Sequence, residues 1–201
     1  MAGLLPLFPL HTVLFPGGVL PLHIFEERYR RLVQKGVDFG VVMIRDGREV
    51  QVEGGAEPFL HEVGTVAHPE RVESLPDGRY NVLVRAIERF RVGAFDGSQP
   101  YLQASHLNLP EIAPCRPRLA PLLQEYLSAN GVEVLLQHSE EFASRGTWLA
   151  GSLLQVEPAK LQQLLESGDP LLAEQLLTDE IGRVRRIGRM GTVQPRGISP
   201  N

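Results

Sequence analysis

Prolines at positions 6, 9, 16 and 21 interrupt every apolar run in the first 24 residues of this 201-residue chain. Each fixes φ and removes an amide donor, so neither a helix nor a central strand runs easily through them. The segments Leu4–Leu10 and Val19–Ile24 are therefore expected as edge or bulged strands. Between them Pro16-Gly17-Gly18 turns the chain sharply, because glycine accepts positive φ. The same prolines, with no basic residue ahead of them, argue against a secretory signal. No stretch reaches the roughly 20 apolar residues of a membrane span. A single cysteine, Cys115, allows no internal disulfide and suits a reducing compartment, so a cytoplasmic protein is expected.

Charge narrows the partners. The formal net charge is -4, and a protein that lives on phosphate backbones normally carries a basic field. Nucleic acid is thus disfavoured, and polypeptide segments or other proteins remain the expected partners. Self-association is left open. Among 20 basic residues the only lysines are Lys35 and Lys160, so few amines could serve in catalysis.

Two halves with different periodicities follow. To about Leu109 the pattern is extended: Phe39–Ile44 reads as a strand buried on both faces. Val63–Leu75 and Arg79–Ile87 flank Pro76-Asp77-Gly78, a turn that predicts a β-hairpin. Phe90–Phe95 and Tyr101–Leu107 complete the strands. One helix, Glu26–Lys35, interrupts them and stops at Gly36. Beyond a connector with Pro110, Pro114, Pro117 and Pro121, the spacing predicts helices over Leu119–Ala129, Val132–Ala143 and Thr147–Leu154. Another starts at Pro158 and stops at Gly168. Asp169-Pro170 then caps a last helix with Ala173, Leu177, Ile181 and Val184 on one face. Arg183, Arg185, Arg186 and Arg189 crowd its C-terminus, where the helix dipole favours cations. The expected division is a β-rich unit over 1–112, a helical bundle over 113–190 and a flexible tail over 191–201.

Catalytic signatures are absent from the sequence. It has no phosphate-binding G-x-x-x-x-G-K-[ST] loop, no H-E-x-x-H, no paired C-x-x-C and no G-x-S-x-G. His61 and His68, with Glu62 and Glu70 nearby, sit seven residues apart, which places them on opposite faces of an unbroken strand. A metal site is therefore not expected there. Cys115, flanked by Arg116 and Arg118, could have a lowered pKa, but no base is nominated for it. A helix face with Trp148, Leu149, Ser152 and Leu153 is expected in a core rather than as a ligand platform. No catalytic residue, metal ligand or cofactor is assigned.

The run Leu5–Leu32, LPLFPLHTVLFPGGVLPLHIFEERYRRL, resembles the start of the N-terminal domain of Lon-type ATP-dependent proteases. Phe39–Ile44, Val63–Ala67 and Leu75–Val92 follow in the family's order, and Glu157–Glu166 with Asp169-Pro170 is similar to its closing helices. The resemblance covers about residues 4–187. It implies an α+β fold, a β-rich PUA-like pseudo-barrel followed by a C-terminal helical bundle. It also marks family-motif residues with mainly structural roles: Pro9, Pro16, Gly17, Leu22, Phe25, Glu26, Arg28, Tyr29, Gly64, Asp77, Gly78, Arg79, Arg89 and Phe90. Phe15, Leu20, Leu22, Ile24, Phe25 and Tyr29 are expected to supply core bulk. Glu26 is expected to pair with Arg89 or Arg85.

A full Lon continues into ATPase and Ser-Lys peptidase modules, whose motifs are missing from this sequence. The expected function is a non-catalytic polypeptide-binding module with an apolar groove, between barrel and bundle or on a barrel face. An RNA or small-ligand-binding PUA-like module is the alternative. A hydrolase around His61, His68 or Cys115 ranks last.

Overall fold

The computed structural model describes residues 3–45, 59–137 and 139–190, excepting the side chains of residues 141 and 187–190. The expected tail, 191–201, and the Arg189 side chain lie outside the described residues. Six strands and five helices follow in order: β1 (Leu5–Leu10), β2 (Val19–Ile24), α1 (Glu27–Gln34), β3 (Phe39–Met43), β4 (Val63–Ser74), β5 (Tyr80–Asp96), β6 (Gln103–Asn108), α2 (Leu119–Ala129), α3 (Glu140–Leu153), α4 (Pro158–Ser167) and α5 (Pro170–Met190).

The strands form one mixed sheet in the order β2-β5-β4-β3-β1-β6, and β6 also returns to pair with β5. The ring β5-β4-β3-β1-β6 is therefore closed, which removes most of the bare edge an open sheet would carry. Closure depends on the length of β5. Its first half pairs with β2, from Val19 opposite Arg85 to Ile24 opposite Tyr80. Its second half pairs with β6, from Phe90 opposite Asn108 to Asp96 opposite Gln103. The hairpin between β4 and β5 turns at Gly78, φ 81°, where Gly78 N–H donates to Leu75 O.

Two strand expectations are corrected. Β1 is not an edge: it lies between β3, which it pairs in parallel, and β6. Pro9 is tolerated there because pairing to β6 stops at Pro6, leaving Pro9 opposite only Val42 of β3. Second, Arg79–Ile87 and Phe90–Phe95 are one continuous strand. The interruption read near Glu88 is a bulge, since the register against β4 shifts between Thr65 opposite Arg89 and Ala67 opposite Ala86.

The helical half carries a third correction. Residues 132–137 have no regular structure, and the two helices expected over 132–143 and 147–154 are one, α3. Ser139 starts it, its Oγ accepting from Phe142 N–H at 3.1 Å. Val132 and Val134, both exposed, lose side-chain freedom in a helix and do not extend it backwards. The other boundaries follow the expected caps. Gly36 (φ 62°) ends α1 and Gly168 (φ 61°) ends α4, Pro158 opens α4, and Asp169 Oδ1 accepts from Leu171 N–H at 2.9 Å before α5.

Packing explains several motif residues. Phe90 is fully buried and occupies space that Gly40 and Gly64 leave empty. A Cβ on Gly64 would stand 2.5 Å from Val41 O and 3.1 Å from the Phe90 ring. On the other side of the sheet, α1 buries Tyr29, Leu32 and Val33 in a cluster with Phe8, Leu22, Ile24, Phe39, Val82 and Val84. The helices α2–α5 share a separate core built on Leu119, Leu123, Leu164, Leu165 and Leu177, which also takes in Phe15 and Val63 from the strand half.

Burial raises the pKa of Tyr29 from 10.0 to about 12, with Arg28 opposing and Glu26 adding to the effect. The neutral phenol is thus favoured in the folded state, and its contribution is complete below pH 10 and is lost as pH rises through about 12. Two pKa steps correspond to about 2–3 kcal/mol. Urea unfolding between pH 9 and 12 is expected to show that decline on the order of its full size, and Tyr29→Phe is expected to flatten it.

Candidate functional site

Arg89 and Phe90 are adjacent, both buried, and point to opposite faces of β5. Phe90 enters the sheet core, whereas Arg89 crosses to the helices. Its Nη1 donates to Leu165 O at 2.9 Å and Glu166 O at 3.3 Å, and its Nη2 to Pro110 O at 3.1 Å. These carbonyls include the last ones of α4, the negative end of that helix's dipole. The guanidinium carbon lies 5.1 Å from the centroid of the Trp148 ring. Burial pulls the Arg89 pKa below the usual arginine value.

A second tie lies beside it. Gln162 Nε2 donates to Val63 O and to Glu166 Oε1, both at 2.9 Å. Glu166 Oε1 also lies 3.0 Å from His61 Nδ1. Thus α4 is seated on the start of β4 and the middle of β5. Trp148 also stacks on Phe15 at 5.9 Å, so α3 reaches the opening segment through an aromatic pair. The contact is possible because Gly151 has no side chain; a Cβ there would stand 2.6 Å from the Phe15 ring.

Above this stack lies a groove of about 870 Å³. One wall is the continuous stretch from Thr12 to Leu20, and the other is α3 with Phe142, Arg145, Leu149 and Ser152. The groove also contacts Arg85 and Gln137. Its apolar side chains include Val19 and Leu149, 49% and 39% exposed, so the apolar surface is offered to solvent rather than closed over. The volume falls within the roughly 300–1,000 Å³ range of ligand clefts.

Of the motif residues, only Pro16 and Gly17 line this groove. Leu22, Tyr29, Gly64 and Phe90 are in the sheet half's cores. Asp77, Gly78 and Arg79 shape the β4–β5 turn, where Asp77 Oδ2 accepts from Arg79 Nε at 2.7 Å. The expectation for Glu26 is overturned: its carboxylate accepts from Arg28 Nε at 2.8 Å, while Arg85 is held by Glu70 and Arg89 by α4. Arg28, two positions along the chain, is nearer in sequence to Glu26 than either. Phe25 is likewise corrected, being 62% exposed rather than core. Leu149 and Ser152 belong to the helix face expected in a core with Trp148, yet they line the groove, whereas the sequence singles out neither Phe142 nor Arg145. The groove's signal is the stripe Arg145, Leu149, Ser152 at helical spacing.

The remaining candidates separate. His61 meets Glu166, His68 meets Asp38 at 2.7 Å, and no group of three or more His, Cys, Asp or Glu among the described residues could hold a metal ion. Cys115 is buried. Burial pushes its thiol pKa up, with Glu174 adding to the rise, which is opposite to an activated nucleophile. Arg183 pairs with Glu180 and Arg185 with Glu125. Among the described residues no helix is long and apolar enough to cross a membrane.

A mixed sheet closed through one long strand, with helices pinned to it by a buried arginine, defines an α+β domain of the Lon N-terminal kind. The chain belongs to the family of the ATP-dependent protease La (LON) substrate-binding domain, which matches residues 4–180. The structure is similar to the crystal structure of a Lon N-terminal domain protein from Xanthomonas campestris, with 27% identity and a TM-score of 0.64, covering 88% of this chain and 98% of that one. The N-terminal domain of a Mycobacterium avium complex Lon protease, 19% identical with a TM-score of 0.61, shares the fold over 90% of this chain and 98% of its own. In sequence, the Lon protease of Desulfovibrio desulfuricans is 27% identical over 96% of this chain. Lon protease 2 of Herpetosiphon aurantiacus is 35% identical over 50% of it. The matched parts are 23% and 12% of those two relatives' lengths.

Two substitutions test this construction. Arg89→Lys keeps the charge but cannot fork between α4 and Pro110, and is expected to cost about 1.5–3 kcal/mol in urea unfolding. Gly151→Ala forces Phe15 from its seat and is expected to cost about 1–3 kcal/mol. It should also shift the emission of Trp148, the only tryptophan.

Proposed function

We propose that this chain is a non-catalytic polypeptide-binding domain that holds extended segments in the groove between residues 12–20 and α3. The observation that carries the reading is the groove itself, solvent-open apolar side chains mounted on two walls that a buried aromatic stack holds together. Membership of a substrate-binding family supports it. The fold is read as a PUA-like pseudo-barrel over residues 1–112 joined to a helical bundle over 113–190, acting in the cytoplasm. Backbone groups in the irregular wall suit an extended partner, whose own amides need hydrogen-bonding groups. No ATPase or peptidase chemistry is assigned to these residues, and any cooperation with a protease belongs to the same proposal.

The test is titration with a permanently unfolded, carboxymethylated model protein, read by Trp148 emission and by calorimetry. Binding is expected for the unaltered chain. Leu149→Asp places a charge on the exposed wall, so it is expected to weaken binding about tenfold or more with little change in thermal midpoint. Equal binding by both proteins would move the site elsewhere. Binding to RNA in preference to the unfolded protein, lost as salt is raised, would favour the alternative reading.

A further inference from the structure

Between α2 and α3 the chain carries the pattern of a strand without a strand's partner. After Gly131, φ 79°, residues 132–137 run on with no turn or bend. Val132, Val134 and Leu135 are 44%, 43% and 76% exposed. In extended backbone the N–H and C=O of one residue point to one edge, and those of the next residue to the other. The even positions turn toward α2. Val132 N–H donates to Leu127 O at 2.9 Å, Leu136 N–H donates to Gln124 Oε1 at 3.4 Å, and the Leu136 side chain packs on the helical core. The odd positions, Glu133, Leu135 and Gln137, turn the opposite way. Among the described residues nothing is hydrogen-bonded to their amides or carbonyls. Gln137 also lines the groove, as does Ser139 just beyond it, so this free edge ends in the groove wall.

From this arrangement we propose that a polypeptide held in the groove is bound as an added β-strand along the free edge of residues 133–137. The inference rests on the reading of the groove as a polypeptide site. A row of unpaired N–H and C=O groups is a template for another extended chain. The two valines and their aliphatic neighbours favour extended backbone, so the edge is shaped before a partner arrives. Because Gln137 belongs to both surfaces, a chain lying in the groove continues along the edge without a break. That continuity assigns the edge to the groove's own occupant rather than to a second copy of this chain. Main-chain pairing supplies affinity without reading side chains, so the partner class is any extended segment with free amides. A helical segment, whose amides are already used, and a proline-rich one, which lacks them, are rejected.

Three peptides of one sequence, valine alternating with serine and lysine and both ends blocked, are titrated against the full chain by fluorescence anisotropy. One is unmodified, one carries two N-methyl groups on alternate residues, and one carries two on adjacent residues. Alternate methyl groups obstruct one edge of the bound strand and leave the other, whereas adjacent ones obstruct both. The alternate peptide is expected to bind within about threefold of the unmodified one, and the adjacent peptide about tenfold more weakly. On the protein, Leu135→Pro removes the central donor of the edge, while Leu135→Ala keeps it. The proline variant is expected to bind the unmodified peptide about tenfold more weakly and the alanine variant within about twofold, both melting as folded proteins. The peptide pair decides the matter whatever the stability of the proline variant. The proposal is overturned if the two methylated peptides bind alike, or if the folded proline variant binds like the alanine variant. Sedimentation showing a dimer that Leu135→Pro converts to a monomer would assign the edge to a second copy, and so overturn it too. Leu135→Pro binding the carboxymethylated unfolded protein as tightly as the unaltered chain does would overturn this inference alone. Failure of the unaltered chain to bind that unfolded protein would remove the reading of the groove beneath it.

Discussion

A guanidinium taken out of water costs several kcal/mol unless its hydrogen bonds are replaced, and that constraint organises this domain. Among the described residues, no carboxylate contacts Arg89. It is satisfied by three carbonyls, those of Leu165, Glu166 and Pro110, and by the face of Trp148. Because these partners come from α4, the connector and α3, the helices cannot settle independently of β5. The same constraint propagates outward. Trp148 contacts both Arg89 and Phe15, Phe15 belongs to the opening segment, and the opening segment with α3 forms the groove.

This linkage gives the opening block two roles. Its prolines and glycines set a stretch, from His11 to Gly18, that belongs to neither β1 nor β2. That stretch is tied down from beneath: Leu14 O accepts from the buried Thr65 hydroxyl at 2.6 Å, and Gly17 N–H donates to Ala86 O at 2.9 Å. An irregular wall with fixed anchors keeps its shape while leaving backbone and side chains exposed on the other side. The residues that mark the family in sequence therefore also build the groove's rim. Marker and site overlap at Pro16 and Gly17.

Much of the fold was legible because local chemistry dictated it. The turn at Pro76-Asp77-Gly78, the stop at Gly168 and the start at Asp169-Pro170 each rest on residues whose backbone preferences leave few options. What was hidden depended on distant partners. The bulge that turns Arg89 toward the helices carries no glycine or proline of its own, and strand closure between β5 and β6 has no local signature. The break expected between Ala143 and Thr147 is absent: Gly146 lies inside α3, where Cys115 and Phe142 pack against it and a Cβ would stand 2.8 Å from the Cys115 sulfur. The pairing assigned to Glu26 failed because Arg28, two residues away, satisfies the carboxylate locally.

The groove was the least legible feature, and the reason is physical. A sequence reports side chains that are present, whereas this site depends on several that are absent. Gly151 admits Phe15, and Gly17 admits the Arg145 guanidinium. Each is a vacancy filled by a residue far away in sequence, so neither its neighbours nor its periodicity reveals it. Binding surfaces on such a frame are coupled to stability, since a substitution that fills a vacancy moves the wall as well as weakening the core. A change at Leu149 differs in kind, because its side chain is 39% exposed on α3 and is not one of the Arg89, Trp148 and Phe15 contacts. Separating the effects of the two kinds of change distinguishes what the groove holds from what holds the groove.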